Sequence, residues 1–208
     1  IEQIRFANGT NWNVDTILST PIISAGSANA DSLIGWQGID SLDGGGGNDT
    51  LDGASGNDII DGGDGNDLIT DNSGNNILRG GAGNDTIRSR GTFSGGSGDD
   101  LLQASDGWFG DTYLFHIGDG KDVINDLGYM GTDAISFGAG INPSELPLHR
   151  VGHDLRFLVN ANDHLSVQDW FSGSLQHIEQ IRFANNTTWN VETILSTPII
   201  SAGSANAD

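Results

Sequence analysis

The chain has 208 residues, enough for a core in one domain or two small ones, and its 28 acidic against 8 basic residues give a formal net charge of −20. Such a balance repels nucleic acid and anionic membrane surfaces and makes cations the natural partners. Cysteine is absent, which excludes disulfide staples, and no stretch is long and apolar enough to span a membrane.

The acids are of one kind. Only Glu2, Glu145, Glu179 and Glu192 are glutamates, and the other 24 are Asp. The short Asp side chain suits tight turns and the coordination of hard cations. Low aromatic content with high charge also fits a disordered chain, a reading kept here for the cation-free state.

Residues 1–31 read IEQIRFANGTNWNVDTILSTPIISAGSANAD, and residues 178–208 repeat them with three differences, Gly9/Asn186, Asn11/Thr188 and Asp15/Glu192. One full period of 177 residues plus the start of the next is what a piece of a tandem array would show. No secretory leader opens the chain, and such a piece would carry neither end of its parent. Residues 1–25 are then expected to be the tail of a preceding cap, folded against the first coil near Leu33 and Trp36.

A second, shorter repeat follows. After a degraded copy, GSANADSLI (26–34), six segments run in steps of nine: GWQGIDSLD, GGGGNDTLD, GASGNDIID, GGDGNDLIT, DNSGNNILR and GGAGNDTIR (35–88). Position six is Asp40, Asp49, Asp58, Asp67 and Asp85, interrupted by Asn76. Position eight is Leu42, Leu51, Ile60, Ile69, Leu78 and Ile87. Asp100 comes fifteen residues after Asp85, and Asp111, Asp122 and Asp133 then follow at intervals of eleven. Two extra residues per strand preserve the alternation of inward and outward side chains, so the coil is expected to widen here.

This spacing builds metal sites. Glycines in the first four positions allow a tight turn that aims carbonyl oxygens into a common space, and the position-six Asp adds a carboxylate. Positions seven to nine form a short strand with one aliphatic side chain directed inward. Stacked copies bring carboxylates to a spacing of about 4.8 Å, where they repel unless a cation lies between them. Ca²⁺ takes six to eight oxygens; Mg²⁺ wants a smaller octahedron, and transition metals ask for His or Cys, which the repeat lacks.

The repeat G-G-x-G-x-D-x-U-x resembles that of haemolysin-type (RTX) calcium-binding proteins. The resemblance implies an all-β fold, a right-handed parallel β-roll with two nonapeptides per coil, binding several calcium ions. Each ion would lie between a turn and the turn two repeats later. Its ligands would be position-six carboxylates and the carbonyls of turn positions one to four. One edge would stack Asp31, Asp49, Asp67 and Asp85; the other would stack Asp40, Asp58 and Asn76. The pairs Asp49/Asp67, Asp67/Asp85 and Asp40/Asp58 are expected to be well formed. Asp31/Asp49 begins in a turn without glycines, and the neutral Asn76 weakens Asp58/Asn76. Carbonyl donors would come from Gly35, Gln37, Gly44, Gly45, Gly46 and Gly47, from Gly53, Ser55 and Gly56, from Gly62, Gly63, Asp64 and Gly65, and from Gly80, Ala82 and Gly83. In the widened part Asp100/Asp122 keeps turn glycines in GDGKD, and Asp111/Asp133 is the weaker pair. The side chains of Asp43, Asp52, Asp61 and Asp64 are expected on solvated outer faces.

From residue 141 glycine thins out. LHRVGHDLRFLVN, HLSVQDWF and IEQIRFA alternate apolar and polar as half-buried strands do, with turns at VGHDL and NANDH, and TWNVETIL reads as a short strand or one helical turn. The motifs GTD-x-I-x-F, R-x-G-x-DL, DWF and I-E-x-I-x-F-A-x-x-T-x-W resemble the region that follows the repeats in haemolysin-type calcium-binding-related proteins. The expected organisation is a tail at 1–25, a β-roll at 26–140, a small antiparallel cap at 141–200 and the start of a next repeat at 201–208. The cap would cover the open end of the roll, with Trp170, Phe171, Phe183 and Trp189 on the last coils.

No H-E-x-x-H and no G-x-S-x-G occurs, and the five histidines are scattered, so no enzyme is expected. The chain reads as a structural calcium-binding module of a large secreted or cell-surface protein such as an adhesin. Its partners would be calcium, neighbouring repeats of the same chain, and an extracellular carbohydrate or surface partner, with no nucleic acid and no membrane insertion. The alternative is a carbohydrate-binding or enzyme-assisting module, for which Trp108, Phe109, Tyr113 and Tyr129 are the candidate aromatic stripe.

Overall fold

The computed structural model describes residues 3–71, 73–105, 110–128, 131–172 and 178–201. The chain opens with a hairpin of β1 (Gln3–Arg5) and β2 (Asn11–Asn13) and the helix α1 (Val14–Leu18). Along the nonapeptides come β3 (Ile23–Ala25), β4 (Ser32–Ile34), β5 (Ser41–Asp43), β6 (Thr50–Asp52), β7 (Ile59–Asp64), β8 (Leu68–Thr70), β9 (Asn76–Ala82) and β10 (Thr86–Ser89). The widened part holds β11 (Gly91–Ser97), β12 (Leu101–Ala104), β13 (Thr112–Phe115), β14 (Lys121–Asp126) and β15 (Ala134–Phe137). The rest is β16 (Leu148–Val151), β17 (Asp154–Leu158), β18 (His164–Val167), β19 (Gln180–Phe183), β20 (Thr188–Asn190), α2 (Val191–Ser196) and β21 (Ile199–Ser201).

Successive strands alternate between two sheets. Odd strands from β3 to β15 stack in parallel in one, and even strands from β4 to β14 in the other. Leu42 pairs with Ile60 and Ile60 with Leu78; in the second sheet Leu51 pairs with Ile69 and Ile69 with Ile87. Each step is two nonapeptides, so two repeats make one coil of an all-β solenoid, consistent with an RTX β-roll. The position-eight side chains meet between the sheets, and none of these six is more than 1% exposed. Each contributes about 1.5–3 kcal/mol by burial. The Asn of each GND turn has its own part: Asn48 Oδ1 accepts from the Asn66 N–H at 2.9 Å, and Asn66 Oδ1 from the Asn84 N–H at 2.7 Å.

The roll narrows before it widens. Asn76 pairs with Gly91 and Thr86 with Leu101, steps of fifteen residues, because Arg90 alone joins β10 to β11 where other coils have a turn. Beyond it, Leu101 pairs with Val123 and Thr112 with Ala134, steps of twenty-two. The wider interior is filled by larger side chains, Phe93, Tyr113, Phe115 and Phe137, with Phe93 and Tyr113 stacked at 5.0 Å.

The cap contains the expected antiparallel meander, β16–β17–β18, and it also continues both sheets. β18 pairs in parallel with β14, and β19 with β15. The last coil would otherwise leave a row of unpaired N–H and C=O groups. Phe183 stacks on Phe137 at 5.5 Å, Trp189 meets Phe183 edge-on at 5.0 Å, Trp170 is buried, and Arg150 lies over the Phe171 ring at 4.7 Å. TWNVETIL forms both a strand, β20, and a helix, α2. At the opposite end Ile4, Val14, Ile17, Leu18 and Trp36 line one apolar cleft beside the first coil. Among the described residues no helix is long and apolar enough to cross a membrane.

Candidate metal sites along the turns

The position-six residues stand in two files, one along each edge. In the first, the N–H of each residue donates to Oδ1 of the next: Asp31 to Asp49 at 2.7 Å, Asp49 to Asp67 at 2.7 Å, Asp67 to Asp85 at 2.8 Å, Asp85 to Asp100 at 2.7 Å and Asp100 to Asp122 at 3.1 Å. In the second, Asp40 donates to Asp58 at 2.7 Å, Asp58 to Asn76 at 2.8 Å, Gly91 to Asp111, and Asp111 to Asp133 at 2.6 Å. The file ends where the Asp133 N–H donates to Glu179 Oε2 at 2.7 Å. Beyond Asp31, one oxygen of each carboxylate is thus spent on holding the coils in register.

The other oxygen decides what each turn can do. Oδ2 of Asp49, Asp67, Asp85, Asp100 and Asp122 is buried with no hydrogen-bond partner, and so is Oδ2 of Asp58 on the second edge. A buried carboxylate oxygen without a donor is costly and calls for a cation. The position-one glycine shows what else converges there. A Cβ built on Gly62 would strike both Asp67 Oδ2 and the Gly80 carbonyl oxygen of the next coil, and one on Gly44 would strike Asp49 Oδ2 and the Gly62 carbonyl oxygen. A carboxylate oxygen and a carbonyl oxygen therefore flank one spot, and only glycine leaves it open. The following Gly63 has φ 100°, which lets the chain reverse there.

Burial is the leading electrostatic fact. It pushes Asp85 up to about 6, Asp100 to about 7 and Asp122 to about 8, against a usual 3.8; the neighbouring carboxylates add to the rise. Asp67 and Asp58 are raised for the same leading cause. Among the described residues no three His, Cys, Asp or Glu side chains gather to hold a metal, so any ion here must draw on backbone carbonyls as well. Carboxylate plus carbonyl oxygens is the donor set of a hard cation, and it suits Ca²⁺.

The remaining candidates are filled in other ways. Asp31 Oδ2 accepts from the Ser27 N–H at 2.6 Å and the Ser27 hydroxyl at 2.8 Å. Asp40 takes the Ile22 N–H on Oδ1 and the Trp36 N–H on Oδ2. Asp40/Asp58, expected to be as well formed as the others, therefore starts from a satisfied carboxylate. Asn76 turns its amide nitrogen toward the Ser73 carbonyl at 2.9 Å and the Ser89 hydroxyl at 3.1 Å. Burial raises Asp111 to about 6, and the Gly91 N–H on Oδ1 and then the charge of Arg90 oppose that rise. Of the carbonyl donors, those of Gly45, Asp64 and Ala82 already accept backbone N–H groups from neighbouring coils, which leaves the position-one carbonyls as the better-aimed set.

Asp43 and the Asp64 side chain are exposed as expected, whereas Asp52 and Asp61 are half-buried. Four acids did not stand out in the sequence. Glu179 closes the second file from forty-six residues away. Asp126 is buried and accepts from the Tyr113 hydroxyl at 3.0 Å, and Asp163 accepts from the N–H groups of Gly118 and Gly120. Asp71 occupies a position-one site, where its departure from glycine was the available signal.

A search of the curated proteins returned no match to this chain. The RTX calcium-binding nonapeptide repeat (4 copies) matches residues 25–60, 61–92 and 89–108, which is the stretch of stacked turns. The haemolysin-type calcium binding protein related domain matches residues 154–193, from β17 into α2. Over these two stretches the chain carries the repeat and the related domain of haemolysin-type (RTX) calcium-binding proteins.

Proposed function

We propose that this calcium-binding module is one unit of a tandem array in a large secreted protein, and that it folds when it meets calcium outside the cell. The observation that carries the reading is the file of five buried, unpartnered carboxylate oxygens from Asp49 to Asp122. Without a cation this edge sets like charges side by side in a dry environment, and a net charge of −20 opposes compaction further. In a low-calcium cytosol the chain stays unfolded, which suits passage through a narrow secretion channel. Millimolar calcium outside binds only the folded coils and draws folding with it. The near-identical 31-residue segments at 1–31 and 178–208 support repetition of the unit along a longer chain. The bounds of that unit are a tail at 1–25, the roll at 26–140 and the cap at 141–200.

The test is circular dichroism of the 208-residue chain in calcium and in excess chelator. The β signal is expected in calcium and lost in chelator; a β signal that persists in chelator contradicts the switch. The carbohydrate-binding alternative loses one of its aromatic candidates. Tyr113 was expected in an exposed stripe, but it is 1% exposed and stacked on Phe93, because the wider coil needs large side chains inside. Trp108, Phe109 and Tyr129 lie outside the described residues.

A further inference from the structure

The fifth nonapeptide breaks the pattern twice. Position six is Asn76 where the others have Asp, and position one is Asp71 where its neighbours have glycine. One negative charge is lost and one is gained within the same turn.

The two exceptions serve one site. In the sister turns the atoms nearest a Cβ on the position-one glycine are that turn's own Asp Oδ2 and the next coil's position-one carbonyl oxygen. At Gly53 the first of these is Asp58 Oδ2 as usual, but Asp71 Oδ2 stands where the carbonyl would be. The Asp71 backbone keeps its place, since its N–H still donates to the Arg88 carbonyl at 3.0 Å, as Gly53 does to Thr70. Only the side chain has turned into the site. Room for it exists because the next coil lacks a turn on this edge, where Arg90 alone joins β10 to β11.

Both carboxylates are committed to the spot. Asp71 is 0% exposed and Asp58 1%, and Oδ2 of each is buried without a hydrogen-bond partner. Their other oxygens are occupied: Asp71 Oδ1 accepts from the Ser73 N–H at 2.9 Å, and Asp58 Oδ1 accepts from the Asp40 N–H at 2.7 Å. Asn76 is turned to Ser73 and Ser89 by its amide nitrogen and brings no charge.

We propose that Asp71 and Asp58 together hold a calcium ion, with the Asp71 carboxylate replacing both the position-one carbonyl and the charge absent at Asn76. The proposal rests on the calcium reading of the repeats and adds a ligand that the repeat pattern does not contain. It makes the second edge cation-binding at the one turn where the pattern reads as broken.

Calcium stoichiometry by titration calorimetry on the full chain tests it, with circular dichroism at saturating calcium as the check of folding. Asp71→Asn is expected to bind one ion fewer than the parent, or to bind one ion at least tenfold more weakly. Asp71→Gly combined with Asn76→Asp moves the charge back to position six and is expected to restore the parental count, whether or not Asp71→Asn folds. An unchanged count and affinity in Asp71→Asn would mean that the pair holds a shared proton instead of calcium, and would overturn the proposal. A double variant that stays one ion short assigns the loss to the shape of the turn and overturns it equally. Asp67→Asn separates this question from the calcium reading itself, because it should lose calcium whatever Asp71 does.

Discussion

The two edges of the roll are made from the same nonapeptide but end in different chemistry. Along the first, from Asp49 to Asp122, each turn repeats one arrangement: Oδ1 ties the coils together and Oδ2 is buried without a partner. Along the second, almost every turn has a different solution: backbone N–H groups at Asp40, a second carboxylate at Asp58, an amide at Asn76 and the charge of Arg90 at Asp111. The first edge leaves an unpartnered carboxylate oxygen at every step from Asp49 to Asp122; the second has built most of its partners from its own residues. An edge that is merely periodic in sequence is therefore not uniform in how its carboxylates are partnered.

The largest effect expected from this contrast separates Asp67 from Asp40. Asp67→Ala removes the central carboxylate of the first file, and the calcium needed for half-folding should rise by about a hundredfold, or about 3 kcal/mol. Asp40→Ala removes a carboxylate already satisfied by N–H groups and should cost about 1 kcal/mol, with the calcium dependence little changed. Calcium titrations followed by circular dichroism compare the two, and equal shifts would erase the distinction between the edges.

Acid should partly stand in for calcium on the first edge. Burial lifts Asp85, Asp100 and Asp122 to about 6, 7 and 8 from a usual 3.8, so the folded coil binds protons more tightly than the unfolded chain does. For such raised carboxyls the stability of the calcium-free fold is greatest at low pH and is lost as pH rises through that window. Calcium-depleted protein is expected to gain β signal on acidification from pH ~8 to ~5. A calcium-free signal that falls or stays flat over that range would show that these carboxyls are not buried in the folded state.

The smallest effect belongs to Asp111. With Arg90 nearby and the Gly91 N–H on Oδ1, Asp111→Asn should leave the calcium count unchanged in the same titration. Loss of an ion would place a further site on the second edge.

How much of this could be read from the residues is clearest where the same sequence occurs twice. Residues 3–24 and 180–201 share their local structure: Ile4 pairs with Trp12 as Ile181 pairs with Trp189, and Asn13 and Asn190 cap their helices by accepting an N–H at 2.8 Å each. Their burial differs. Phe6 is 41% exposed and Phe183 5%, because Phe183 lies on Phe137 of the last coil and Phe6 has no such surface beneath it. Local structure follows from local sequence; packing depends on what stands next to it.

The same division holds at the sites. The nine-residue spacing of Asp and Leu or Ile predicted stacked strands with an inward aliphatic column, and the resemblance to RTX repeats implied the pairing two repeats apart and both files. It could not separate a satisfied carboxylate from an orphaned one, since that depends on whether the position-two N–H reaches Oδ2, as at Trp36, or not, as at Asp49. The narrowing at Arg90 was present in the sequence as the fifteen-residue interval from Asp85 to Asp100, three short of two nonapeptides, but the widening read from the later spacing passed over it.

A calcium-soaked crystal structure with anomalous difference density tests the central claim most directly. Peaks are expected beside Oδ2 of Asp49, Asp67, Asp85, Asp100 and Asp122, and beside Asp58, with none at Asp40 or Asp111. Density spread evenly over both edges, or missing from the first, would contradict the account.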